Sequence, residues 1–146
     1  MANVSLAQAA VITDKALEHA RSLNLKPLTV AVLDAGGHLV ALKREDNSSL
    51  LRPQIAQGKA WGVLGMGFGG REFTRRAAAA PAFMAAIGMA SEGRIIPVPG
   101  GVLIRDQDGS ITGAVGISGD VSEQDEACAV YGIKAAGLVP DTGDPG

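Results

Sequence analysis

The chain is poor in several kinds of residue, and each shortage removes a class of protein. It has one cysteine, Cys128, in 146 residues. That excludes an intrachain disulfide and a cysteine-built metal cluster. Cys128 falls within an expected helix and reads as a small core residue. The two histidines, His19 and His38, are too far apart in sequence to form a spaced metal-ligand pair, so no metal site is expected. Phe, Trp and Tyr together make up 3%, which leaves few rings to line a large flat ligand. The formal net charge is −2, and the 13 Lys and Arg are scattered, so there is no electrostatic footprint for nucleic acid or an anionic membrane. The one basic cluster, Arg71 with Arg75 and Arg76, reads as a solvated helix face. No apolar run is long enough to span a bilayer. Residues 1–20 lack a basic start and carry Asp14, Lys15 and Glu18, so no signal peptide is read and a cytoplasmic protein is expected.

What is present fits one domain with a substantial core: 47% of residues are hydrophobic, and 20 glycines with many alanines imply close packing of small side chains. The domain is expected to span 1–139, with a loose Pro/Gly/Asp-rich tail over 140–146. Ser5 and Gln8 form a capping-box pattern that opens a helix over Leu6 to Leu23, with its apolar face on Leu6, Ala9, Ala10, Thr13, Ala16, Leu17 and Ala20. Leu28 to Asp34, the turn Asp34-Ala35-Gly36-Gly37, and His38 to Lys43 read as a β-hairpin. A second helix runs from Pro53 to Leu64 and breaks at Gly65 to Gly70. Two helical pieces follow, Phe73 to Ala79 and Ala82 to Ala90, with Pro81 starting the second or kinking between them. Gly93 to Pro99 reads as a loop or short strand. Val102 to Arg105 and Ser110 to Ser118 form a second hairpin around Asp106-Gln107-Asp108-Gly109. A last helix, opened by a Ser122/Asp125 capping box, runs to Ala136 and stops at Gly137. Hairpins without βαβ units give an α+β fold, an antiparallel sheet covered by helices.

Several motifs invite chemistry. Gly65-Met66-Gly67-Phe68-Gly69-Gly70 matches G-x-G-x-x-G, but it follows a helix rather than a strand and reads as an inter-helix turn. Gly116-Ile117-Ser118-Gly119-Asp120 approaches a nucleophile elbow, yet its last position is Asp and no base partners Ser118. Ser118 then reads as a polar pocket lining or a helix-approach residue. Gly119 to Asp125 leads into a helix N-terminus, where either a bound anion or the chain's own Asp120, Glu123 and Asp125 can meet the free amides. His38, just past its turn, is either a surface residue or an iron ligand or general base. His19 sits about 120° off the apolar helix face and reads as exposed. Arg44 and Lys59 are either solvated charges or carboxylate holders. Asp125 and Glu126 are adjacent and project on different sides of their helix.

Taken together, Val30-Ala31-Val32-Leu33-Asp34-Ala35-Gly36-Gly37-His38-Leu39-Val40-Ala41-Leu42, Arg44 with Asp46, Lys59-Ala60, Pro99-Gly100-Gly101-Val102, Gly113-Ala114-Val115-Gly116-Ile117-Ser118-Gly119 and Gln124-Asp125-Glu126-Ala127-Cys128-Ala129 resemble the GlcG/HbpS haem-binding-like family. That family includes the C-terminal domain of the PduO adenosyltransferase. The resemblance covers residues 5–138 and implies a profilin-like fold, a central antiparallel sheet with helices on both sides, and homo-oligomers packed through helices. It implies a small-molecule ligand, with haem as the possible cofactor. It also implies pocket positions at Asp34, His38, Arg44, Lys59, Gly100, Gly101, Ser118, Asp125 and Glu126. Two functions follow as expectations. One is a binding protein for haem or another tetrapyrrole. The other is a cofactor-free enzyme acting on a small organic acid or carbonyl metabolite: Arg44 or Lys59 holds the substrate anion, the Gly100 and Gly101 amides face an oxyanion, and Asp125, Glu126 or His38 moves protons.

Overall fold

The computed structural model describes residues 2–144. Its elements in order are α1 (Leu6–Ser22), β1 (Thr29–Asp34), β2 (Leu39–Arg44), α2 (Arg52–Met66), α3 (Gly70–Ala79), α4 (Pro81–Ala90), β3 (Gly101–Arg105), β4 (Ile111–Ser118), α5 (Ser122–Ala135) and β5 (Val139–Asp141). The strands form one antiparallel sheet in the order β2-β1-β4-β3-β5. This is the α+β architecture expected from the hairpins, with helices on both faces of the sheet.

Alternation along the strands sorts residues to the two faces. Val30, Val32, Val102, Ile104, Val115 and Ile117 pack with Ile12, Ala16, Cys128 and Ile133 of α1 and α5. Leu33, Leu103 and Ala114 pack instead with Ala60 and Val63 of α2. The α2 side is unusually close. A Cβ on Gly116 would fall 1.8 Å from the Ala56 carbonyl oxygen, so only glycine lets β4 and α2 meet there.

The first capping box forms as expected, with Ser5 Oγ accepting from the Gln8 amide and Gln8 Oε1 from the Ser5 amide. α2 ends at Gly67, whose left-handed φ of 79° closes the helix. α3 begins three residues before the expected Phe73, because Gly69 serves as its N-cap rather than as part of a break. Pro81 opens α4, and Ala80 before it is pushed out of helical geometry. Residues 93–99 form no strand; they cross α2 as a loop, with the Ile96 amide 3.4 Å from the Gly58 carbonyl.

Two expectations are corrected. The Ser122/Asp125 capping box does not form. Val121 is the N-cap of α5 and no side chain caps it, because Asp125 Oδ1 accepts instead from the Asp120 amide at 3.0 Å. The tail is not loose through residue 144. β5 pairs with β3, Arg105 reaches Asp141 at 3.0 Å, and the Arg71 amide donates to the Thr142 carbonyl at 2.9 Å. Pro145 and Gly146, also expected in that tail, lie outside the described residues.

A sealed polar line and an open candidate cleft

The residues put forward by the sequence divide into three places. The first is the end of the sheet where β4 meets α5. Lys59 enters from α2, and its Nζ donates to the Ile117 carbonyl at 2.8 Å and to Asp125 Oδ2 at 3.3 Å. Both side chains are shut away, at 4% and 1% exposure. Burial pulls the Lys59 ammonium below its usual range and pushes the Asp125 carboxyl above its own; each partner partly offsets the other's shift, and Arg52 adds to that on Lys59. Gly100, at φ 111°, lets the ammonium lie beside its backbone: a Cβ there would stand 2.8 Å from Lys59 Nζ. Ser118 is fully buried and accepts from Arg52 Nη1 at 3.0 Å. Gly101 packs on the Lys59 carbonyl.

Glu126 continues this line outward. Arg71 Nε lies 2.9 Å from both Glu126 oxygens, and Nη2 lies 2.8 Å from Oε1. The pairing holds the Arg71 guanidinium still more firmly protonated. Asp125 therefore faces α2 and Glu126 faces α3, the split expected from their adjacency. Among the described residues no buried side-chain nitrogen or oxygen lacks a partner. The line is complete without a ligand and ties α2, α3 and α5 to the sheet.

The second place is the turn of the first hairpin. Asp34 Oδ1 accepts from the amides of Gly36 and His38, both at 3.0 Å, and lies 3.1 Å from His38 Nδ1. The His38 amide bond, aided by the ring and the Gly36 amide and opposed by burial, holds the Asp34 carboxyl below its usual value. His38 is 81% exposed. With Nδ1 turned to Asp34, Nε2 is the free nitrogen. The third place holds Arg44, which is exposed and donates to the Ser48 carbonyl at 2.7 Å.

None of these nine residues lines the cleft beside α2. That cleft, of about 340 Å³, lies between α2, the hairpin turn and the 93–96 loop; its walls include Leu33, Gly37, Leu51, Ile55, Trp61 and Ile96. The Arg94 guanidinium lies 4.0 Å from the Trp61 ring centroid. No carboxylate pairs with Arg94 among the described residues. The hairpin turn borders this cleft through Gly37, which would meet Trp61 Nε1 at 3.2 Å if it carried a Cβ. No motif marks Trp61 in the sequence, but its spacing does. Leu51, Ile55, Gly58 and Trp61 recur at helical spacing apart from the sheet-facing Ala56, Ala60 and Val63, and Trp61 is the only tryptophan.

Two other expectations concern side chains outside these places. Cys128 is buried, and desolvation pushes its thiol up to about 11. His19 is half-buried rather than exposed, because its ring stacks on Tyr131 of α5 at 4.3 Å. Among the described residues no helix is long and apolar enough to cross a membrane, and no three His, Cys, Asp or Glu side chains gather as a metal site.

Against known proteins, a family model described as haem degrading protein HbpS-like matches residues 4–134. A solved PduOC–haem complex is similar at 26% identity over 97% of this chain and 99% of that one, with a TM-score of 0.84. The Klebsiella pneumoniae protein ORFY is similar at 26% identity over 94% and 92%, with a TM-score of 0.83. A double mutant of Streptomyces reticuli HbpS shares the fold at 22% identity over 92% and 87%, with a TM-score of 0.79. No curated protein matches the chain.

Proposed function

The chain belongs to the HbpS-like family, and from that membership and the cleft beside α2 we propose that it binds haem or a closely related tetrapyrrole. The observation that carries the reading is the pairing of Trp61 with Arg94 at one opening. Arg94 covers one face of the indole, which leaves the rest of the ring as an aromatic surface for a macrocycle, and a cation without a carboxylate partner among the described residues suits a propionate.

The surrounding residues fit that group. Leu33, Leu51, Ile55 and Ile96 give an apolar wall. The volume falls within the range of small-molecule pockets, and the cleft is open enough to take one edge of a larger ring. His38 does not line the cleft, but it stands on the hairpin turn beside the lining residue Gly37, and it is the residue we assign to reach the iron of a ring that extends past the cleft mouth, through Nε2, with Asp34 fixing the tautomer. Bound haem would supply a redox-active iron. The chain's own part is to hold the ring against Trp61, to neutralise a propionate with Arg94 and to orient His38. In this reading Lys59, Ser118 and Asp125 brace the scaffold. Self-association, which the resemblance implies, belongs to the same reading.

Titration with haemin tests it. The expected result is a Soret band that shifts and saturates at one haem per chain, with an altered iron spectrum in His38→Ala. A Soret band that never saturates overturns the reading.

A further inference from the structure

One wall of the cleft is held lightly. Residues 93–96 supply Gly93, Arg94 and Ile96 to its lining. Apart from the Arg94 amide's bond to neighbouring Ser91, two hydrogen bonds join residues 94–97 to the rest of the fold among the described residues. The Ile96 amide donates to the Gly58 carbonyl and Thr74 Oγ1 to the Pro97 carbonyl, both at 3.4 Å and so beyond the usual range. None of residues 92–97 is buried.

The two ends of this segment differ. Upstream, the Gly93 amide closes α4 by donating to the Gly88 carbonyl at 2.8 Å, with Glu92 at φ 59° and Gly93 at φ 77°. Two successive left-handed residues, the first carrying a β-carbon, make a strained exit from the helix. Downstream the chain is fixed. A Cβ on Gly70 would fall 2.9 Å from the Val98 carbonyl oxygen, and the Ile117 amide donates to the Gly100 carbonyl at 3.2 Å.

Beneath the segment lies a trough. Gly58 and Gly62, about one turn apart on α2, present no side chain to it. A Cβ on Gly58 would fall 2.5 Å from Ile96 Cγ1 and 2.6 Å from the Arg94 carbonyl oxygen, and one on Gly62 would fall 3.4 Å from Ile95 Cγ2. The segment therefore rests on bare helix, with no knob to unlock when it lifts. Its clasp is the Arg94 guanidinium, 4.0 Å from the Trp61 ring centroid. Arg94 is exposed, and a cation on an aromatic face is held weakly at an exposed site.

We propose that residues 93–96 are a lid, clasped by Arg94 on Trp61, that pivots at Glu92 and Gly93 to lift off the Gly58–Gly62 trough and admit the ligand to the cleft. Lifting frees the indole face that Arg94 covers, and closing brings the guanidinium back to the ligand's carboxylate. The admission of a tetrapyrrole rests on the haem assignment; the lid's movement does not.

Two glycine variants of the full chain test it. Gly58→Ala forces the segment off the trough, because the new methyl meets the Arg94 backbone. A Cβ at Gly93 meets nothing within 4 Å, so Gly93→Ala acts by straining the closed φ. Without haemin, both variants should raise acrylamide quenching of Trp61 fluorescence and speed hydrogen exchange of the Ile96 amide. For Gly93→Ala the exchange should quicken about fivefold, the scale of placing a β-carbon in the left-handed region. Haemin association, followed by stopped flow, should quicken by the same factor, because only the open form takes the ring. Quenching and exchange unchanged in both variants overturn the lid, whatever haemin does. Faster exchange with an unchanged association rate overturns its role as a gate. A native chain that takes up no haemin overturns the ligand assignment alone; faster exchange in the variants still upholds the lid.

Discussion

Lys59 on α2 and Asp125 on α5 meet across the end of the sheet at 3.3 Å, and both are sealed from solvent. The pair is held by the Ile117 carbonyl on one side and the Asp120 amide on the other. Two elements on opposite faces of the sheet are thereby fixed to each other through a charge pair that water cannot reach.

Removing one member should be far worse than removing both. Lys59→Ala leaves a buried carboxylate without its cation, at a cost of about 3–5 kcal/mol. Lys59→Met with Asp125→Leu should recover most of that loss. Urea unfolding of the two variants checks this, and equal destabilisation would show that the charge pairing is not what matters.

Gly116→Ala should destabilise at or beyond the upper end of about 1–3 kcal/mol, because the added methyl collides with the Ala56 carbonyl and not with a movable side chain. Gly65→Ala, where a Cβ meets nothing within 4 Å, is the matched control and should be neutral or slightly stabilising in thermal unfolding.

The hairpin turn should show a pH signature. Asp34 is depressed in the folded chain, so its contribution is fully present above its ordinary value of 3.8 and is lost as pH falls below that through the folded value. Asp34→Asn should narrow the stability gap between pH 6 and pH 3. Melting of both proteins across that window measures it. In haemin titrations the same variant should bind about 10–100-fold more weakly, the usual cost of removing the partner that orients a metal-bound imidazole.

Cys128, with its thiol at about 11, should resist alkylation at pH 8 in the folded chain and react readily in urea. Mass spectrometry after iodoacetamide treatment distinguishes the two states.

Much of this fold was legible in the sequence because its signals are local. Ser5 and Gln8 open α1, Gly36 and Gly37 turn the first hairpin, and Pro81 starts α4. What escaped depends on contacts distant in sequence. β5 is three residues whose strand character comes from pairing with β3, and Gly69 became an N-cap where the 142–143 backbone packs against it. The site was legible only in part. Lys59, Ser118 and Asp125 stood out for their chemistry and do come together, but burial closes them. Trp61 and Arg94 are 33 positions apart, and only the path of the 93–96 loop over Gly58 brings them into contact.

Arg94→Ala should weaken haemin binding about tenfold, the scale of one hydrogen bond to a charged group, while lowering the unfolding free energy by no more than about 1 kcal/mol, the scale of its stacking on Trp61. An unaltered affinity would remove Arg94 from the ligand site.

The most direct measurement is the fluorescence of Trp61, which needs no variant because the chain has no other tryptophan. With haem seated in the cleft, emission should fall progressively and level off at one haemin per chain, in step with the Soret change. Emission that stays constant while the Soret band saturates would place haem elsewhere and contradict the assignment of this cleft.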